Sequence, residues 1–307
     1  MTLDPRLASV VVAGLGQLGL PLAVALRAAG YSVTGLDVAE ERRHEALRHG
    51  LSVAAPSAMS DLWPRTDMLM SVLPSDDAVM SLLEGAENVI HRLRKGAVHL
   101  CLGTIGIELA RDLSQRHAHA GQHFASCPVF GRPDEAWARD LTAVFGPVRS
   151  EDCDWHTVAL QALGAFAPRL HPVPSPEAAC AIKLAGNLMI ASAITTMSEA
   201  TRLVRAYGAS AESLHRVVTG KLFRGPVYEG VGARLARAAD LGAMSCEAPG
   251  FTVRLGLKDM TLVHTAAERA GVPLAVGAAV RATLGQAQQR GHGSADWADL
   301  PACLSER

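Results

Sequence analysis

Residues 8–30 read ASVVVAGLGQLGLPLAVALRAAG. Ser9 to Ala13 is a β-branched apolar run of strand type, and Leu18 to Ala29 is rich in Ala and Leu, which favours a helix. Between them Gly14, Gly16 and Gly19 fill a G-x-G-x-x-G spacing. In that setting each glycine has its own task. Gly14 permits a tight turn, Gly16 lets the backbone come close to a diphosphate, and Gly19 lets the helix pack closely on the strand. The loop also contains Leu15, Gln17 and Leu18, and it ends on helix N-terminal amides aimed at an anion. The same glycines without a strand before and a helix after would read as a plain turn.

Working outward, the next apolar run, YSVTGLD, ends on Asp37, eighteen residues after Gly19. A carboxylate there accepts hydrogen bonds from the adenosine ribose and repels a 2'-phosphate, so the expected cofactor is NAD. Arg42 and Arg43 lie one turn further on, within reach of such a phosphate, and keep NADP open. Asp37 is also suited to cap a helix over Ala39 to Arg48.

The alternation continues. Met68 to Leu73, Ala97 to Leu102 and Gln122 to Ser126 read as buried strands; Glu40 to His49, Asp76 to Leu83 and Ile107 to Ala118 read as half-buried helices. This βαβ rhythm predicts an α/β fold with a parallel sheet. It stops at His171 to Pro176, HPVPSP, with three prolines in six residues, the best boundary in the chain. From Glu177 to Tyr207 there is no proline and one glycine, Gly186, which predicts one long helix linking two domains. Ser210 to Thr219, Phe251 to Ala270 and Leu274 to Arg290 are further helices. The expected layout is a Rossmann domain over 1–173 and an all-α substrate and dimerisation domain over 174–307, with interdomain helix 177–207. The tail from Gly291 is expected to fray or to form a short final turn.

Composition narrows the partners. The 307 residues carry a formal net charge of -1 and a pI near 6.9. There is no basic field to hold nucleic acid or an anionic membrane, so the expected partner is a small molecule. The start lacks a signal-peptide pattern and no run of about 18 uncharged apolar residues appears, which points to the cytoplasm. Cys101, Cys127, Cys153, Cys180, Cys246 and Cys303 form no CxxC pair and are expected to be reduced and mostly structural. His117, His119 and His123 cluster near a helix end without acidic or thiol partners at ligand spacing. They read as a solvated group, and no metal is expected. No GxSxG elbow nominates a nucleophile.

The glycine loop, SVLPSD around Leu73 and Pro74, ASCPVFGRP, and IKLAGNLMIASAITTMSEA together resemble the β-hydroxyacid dehydrogenases, the group that includes 3-hydroxyisobutyrate dehydrogenase. Order and spacing match over nearly the whole chain, and the most specific piece is KLxxN with EA twelve residues later: Lys183, Leu184, Asn187, Glu199 and Ala200. The resemblance implies a Rossmann domain, a long interdomain helix and an all-α domain, with the substrate in the cleft between domains. It makes Lys183 the catalytic lysine and Asn187 its helical neighbour. A partly buried lysine can deliver a proton to a developing alkoxide or remove one from an alcohol. It also implies that Leu73, Pro74 and Thr104 line the cofactor, and that Lys258, followed by Asp259 in FTVRLGLKDM, approaches the nicotinamide.

Two stretches depart from the family. Its Asp-x-Ser-Thr loop is Cys101, Leu102, Gly103, Thr104 here, and its Pro-Val-Ser-Gly-Gly run is Pro128, Val129, Phe130, Gly131, Arg132. Two hydroxyl anchors are gone, which argues against 3-hydroxyisobutyrate itself. The expected substrate contacts are Gly103, Phe130, Gly131 and Arg132, the arginine serving either as an anion ligand or as half of a surface ion pair. Phe130 makes an imine reductase the alternative, although Lys183 and Asp37 count against it. A catalytically silent cofactor-binding protein is the third reading. An Ala-rich helical domain is expected to form a homodimer.

Overall fold

A computed structural model describes residues 8–54, 61–85, 88–148, 154–245 and 248–304. The chain divides into two compact units, Met1–Lys183 and Leu184–Arg307.

The first unit is built on one sheet. β1 (Ser9–Ala13), β2 (Ser32–Leu36), β3 (Ser52–Ala54), β4 (Met68–Ser71), β5 (Val98–Cys101) and β6 (His123–Ser126) are parallel in the order β3-β2-β1-β4-β5-β6. Three further strands follow, β7 (Val129–Phe130), β8 (Thr142–Pro147) and β9 (Arg169–Pro172). β8 runs antiparallel to both β6 and β7 and parallel to β9. The strand order reverses between β1 and β4, which places a crevice at the carboxyl ends of those strands.

Helices α1 (Gly19–Ala28), α2 (Glu40–Arg48), α3 (Asp76–Glu84), α4 (Val89–Arg92), α5 (Ile107–His119), α6 (Pro133–Trp137) and α7 (Asp154–Gly164) belong to this unit, and α8 (Pro176–Ala206) begins in it. Alternation along the buried strands splits the core between the two sheet faces. Val10, Val12, Met68, Met70 and Leu100 pack with Leu22 and Leu26 of α1, while Val11 and Leu69 pack with Leu83 and Leu113.

Four strands escape the periodicity reading. β3 and β7 are three and two residues long, too short to show alternation, and β8 and β9 each end in a proline. The segment His171 to Pro176 spans the end of β9 and the start of α8. Pro172 is tolerated because it closes its strand, and Pro176 because it opens its helix.

The second unit holds the rest of α8 together with α9 (Ala211–Lys221), α10 (Gly232–Leu241), α11 (Val253–Ala270), α12 (Ala275–Ala287) and α13 (Leu300–Leu304). Among its described residues there is no strand, only an isolated bridge between Thr252 and Asp296. Of the two expectations for the tail, fraying is corrected and the short final turn is found: Trp297, Ala298, Leu300, Cys303 and Leu304 are buried, and the Trp297 ring lies tilted against Phe251 with centroids 4.4 Å apart. Five apolar side chains in the final turns carry enough surface to dock them. By length and composition α8 is apolar enough to cross a membrane. Its buried polar positions, Asn187, Thr195, Ser198 and Thr201, are those of a core helix.

The histidine cluster is also corrected. His117 shares the buried face of α5 with Ala110 and Leu113, is fully buried and bonds His99 and Gln122. His119 is exposed on the Gln115 carbonyl, and His123 stacks on Trp155. No metal-ligating cluster occurs among the described residues. Cys101, Cys127, Cys180 and Cys303 are buried thiols, and burial pushes those of Cys180 and Cys303 up to about 12 and about 11. Cys153 and Cys246 lie outside the described residues.

Candidate active site

The loop after β1 is held by contacts that only glycine permits. Gly14 has φ +94°, and a Cβ on it would lie 2.4 Å from the Val72 carbonyl oxygen. A Cβ on Gly19 would lie 1.7 Å from the Gly14 oxygen. Gly16 differs: apart from its own chain neighbours, nothing in the protein lies within 4 Å of where its Cβ would be. Nothing inside the unit requires glycine there, so the bare backbone leaves a cradle that a Cβ would fill. The first turn of α1 carries no acidic side chain to oppose an anion. This loop fits the diphosphate of a nicotinamide dinucleotide. Gly16→Ala is expected to leave the melting temperature within a degree or so while weakening NADH binding roughly tenfold, measured by fluorescence titration, because its methyl enters only the ligand's space.

Asp37 braces the same loop. Its Oδ2 accepts from the Leu15 amide at 2.7 Å and its Oδ1 from the Ala39 amide at 2.8 Å. Each oxygen has a second lone pair for another donor. Arg43 turns its guanidinium onto the Asp37 and Val38 carbonyls, while Arg42 is exposed. Gln17 is exposed and Leu18 half-buried.

The loops after β4 and β5 close on the glycine loop. Leu73 Cδ2 lies 3.1 Å from the Gly14 Cβ position, and a Cβ on Gly103 would lie 2.5 Å from the Leu73 carbonyl oxygen. The Asp76 carboxylate, at the start of α3, accepts from the Gly106 amide at 3.0 Å. Leu73, Gly103 and Thr104 are half-buried and Pro74 is exposed. The structure therefore gathers Gly14, Leu73 and Gly103 at the carboxyl edge of the sheet. Asp76, which ties two of these loops together, was not singled out in the sequence.

Lys183 reaches this edge from the second turn of α8, whose start is docked tightly. A Cβ on Gly146 of β8 would lie 2.7 Å from that of Ala179, and Cys180 Sγ is 3.2 Å from Ser126 Oγ. Lys183 Nζ donates to the Val129 carbonyl at 2.8 Å and sits 4.2 Å from the centroid of the Phe130 ring. Val129 and Phe130 are themselves paired with Ala143 and Thr142. Gly131 turns away at φ +147°, where a Cβ would meet Leu141 Cδ2 at 2.2 Å. Arg132 Nε lies 3.3 Å from Asp134 Oδ1, with 43% of the arginine side chain exposed.

In the second unit Asn187, four residues further along α8, is 4% exposed. Its Nδ2 donates to Asp259 Oδ2 at 2.5 Å, and Lys258 Nζ lies 2.7 Å from Asp259 Oδ1. Asp259 is 2% exposed. The ammonium and the amide together give this buried carboxylate its polar partners. The sequence offered Asp259 only as the neighbour of Lys258; the structure makes it the hub joining Lys258 to Asn187.

Residues 9–182 match the family model described as the NAD binding domain of 6-phosphogluconate dehydrogenase. Residues 178–303 match the one described as NAD-binding of NADP-dependent 3-hydroxyisobutyrate dehydrogenase. An uncharacterized oxidoreductase of Bacillus subtilis, YfjR, is 27% identical over 96% of this chain and 99% of its own. Among solved structures, a 3-hydroxyisobutyrate dehydrogenase from Salmonella typhimurium superposes with a TM-score of 0.83 at 21% identity, covering 96% of this chain and 99% of the other. An imine reductase from Pseudomonas sp. gives 0.60 at 20% identity, over 97% and 100%. The glycine loop, the strand order and both family matches lead to one conclusion: this chain belongs to the β-hydroxyacid dehydrogenase family of NAD(P)-dependent oxidoreductases.

Proposed function

We propose that this protein interconverts a small carbonyl compound and its alcohol, with Lys183 moving the proton. The observation that carries this reading is the fixed ammonium at the carboxyl edge of the sheet, bonded to the Val129 carbonyl at 2.8 Å. The nicotinamide, when bound, supplies or takes the hydride. In reduction the Lys183 ammonium gives a proton to the oxygen that gains charge as hydride reaches carbon; in oxidation the neutral amine takes that proton back. Asn187, its amide oriented by Asp259, presents a polar group to the substrate oxygen.

Gly14, Leu15, Gly16, Gln17, Leu18 and Gly19 hold the diphosphate, and Asp37 receives the adenosine ribose, which favours NAD over NADP. Leu73, Pro74, Thr104 and Lys258 flank the nicotinamide. Gly103, Phe130, Gly131 and Arg132 face the substrate. Residues 174–307 act as the substrate and dimerisation domain. Leu203, Tyr207, Val217, Leu222 and Leu241, all within those residues, are exposed and support a homodimer, which the protein forms in the cytoplasm.

Oxidation of NADH and NADPH in the presence of propanal, glyoxylate, pyruvate and 1-pyrroline tests the reading. Turnover of an aldehyde or keto acid supports it. Turnover of 1-pyrroline alone would transfer the assignment to imine reduction, the second reading, which Phe130 favours by replacing a hydroxyl with a ring. Binding of neither cofactor would end both.

A further inference from the structure

We infer that Phe130 is a positioning residue for Lys183, its ring face and the adjacent Val129 carbonyl forming a two-point seat that holds the ammonium in one place. This inference rests on the proton-transfer role proposed for Lys183.

A lysine has four rotatable side-chain bonds, and an ammonium left in water samples many rotamers. Proton transfer to a developing alkoxide needs the donor within hydrogen-bond reach of one point, and misplacement by an ångström costs rate. Here two directional attractions act on the same nitrogen. Val129 accepts an N–H at 2.8 Å, and the negative face of the Phe130 ring lies 4.2 Å away, within cation–π range.

The seat is itself rigid. Val129 and Phe130 form β7, in register with Ala143 and Thr142, and the Val144 amide donates to the Pro128 carbonyl at 3.0 Å. On the far side, the tight turn at Gly131 is closed by the Arg132 amide donating to Glu135 Oε2 at 2.6 Å. On the helix side, the packing of Ala179 against Gly146 and of Cys180 against Ser126 fixes where Lys183 emerges. A serine hydroxyl at position 130 could offer one hydrogen bond but no face. Phenylalanine gives up that hydrogen bond and gains an attraction that survives small sliding of the ammonium while keeping it over the ring.

The test uses the whole 307-residue chain. Its lysines are Lys95, Lys183, Lys221 and Lys258, so reductive methylation with 13C-formaldehyde gives a sparse NMR spectrum in which K183R assigns the Lys183 methyl signal. That signal is expected upfield of the other lysines through the ring current. F130L should return it to the position of an exposed lysine, and F130Y should preserve the shift. In parallel, kcat for the member of the carbonyl panel reduced fastest is expected to fall about two- to thirtyfold in F130L with the KM for NADH unchanged, and to recover in F130Y. An unshifted Lys183 signal in the native protein, or equal kcat in native and F130L protein, would overturn the inference. If F130L does not fold, F130M decides by the same readings. A shifted, Phe130-dependent signal together with unimpaired turnover in K183M would keep the contact and defeat the proton-transfer reading instead.

Discussion

Lys183→Met is expected to lower kcat by about two to four orders of magnitude while leaving the affinity for NADH within a factor of about two. Methionine keeps the unbranched apolar stem and loses only the ammonium, so α8 and its docking through Ala179 and Cys180 are undisturbed. The lost interaction is one that strengthens as the substrate oxygen gains charge, and therefore kcat and kcat/KM fall together. NADH binding depends on the glycine loop, where Gly14 and Gly19 are locked by backbone contacts that Lys183 does not touch. Lys183→Arg separates charge from proton transfer. A guanidinium keeps the positive charge but does not release a proton at any working pH, so the arginine variant is expected to be nearly as impaired as the methionine variant. Steady-state rates and a fluorescence titration check this. Near-native turnover in Lys183→Met would remove Lys183 from the chemistry, and full activity in Lys183→Arg would reduce it to an electrostatic anchor.

What could be read from the sequence were features whose parts lie close together along it. The glycine spacing after β1, the carboxylate closing β2, and the lysine and asparagine four apart on α8 are local patterns with local geometric causes. The reading failed where partners are distant or carry no side-chain signature. Lys183 bonds a backbone carbonyl 54 positions away, and Asn187 bonds Asp259 across 72; neither distance has a sequence period. β7 is two residues long and exists because β8 lies beside it, so Phe130 read as a loop substitution although it is part of a strand seating the lysine. The error at His117 was of another kind. Ala110, Leu113 and His117 share one helical face, and that phase points the imidazole inward, away from the solvated group that its position near the helix end suggests.

That buried imidazole leads to the second large expectation, a loss of stability in mild acid. Gln122 Nε2 donates to the carbonyls of Ile90 and Leu93 at 2.8 and 2.9 Å, which turns its Oε1 toward His117 Nδ1 at 2.8 Å. His117 Nδ1 must then carry a proton, leaving Nε2 to accept from His99 Nδ1 at 2.9 Å, and His99 Nε2 to accept from Ser71 Oγ at 2.8 Å. In this arrangement every donor meets an acceptor while both rings are neutral. A second proton on either ring would place a full charge in a buried site, where desolvation opposes it. Burial accordingly pulls the pKa of His117 down from 6.5 to about 4, and burial with the neighbouring imidazole holds that of His99 well below its usual value. Because the folded values are depressed, the unfolded chain takes up these protons first as pH falls. The stabilisation is complete above about pH 6.5 and drains away toward pH 4, by about 3 kcal/mol for His117, with His99 adding in the same direction. That is a substantial part of the stability of an ordinary domain. Melting temperature followed by scanning fluorimetry from pH 7.5 to 4.5 is expected to fall steadily in the native protein. In a His99→Gln/His117→Gln variant it should start lower at pH 7.5 and fall much less, since the amides have nothing to titrate. Parallel curves for the two proteins would show that acid acts elsewhere and that the imidazole chain contributes no pH dependence.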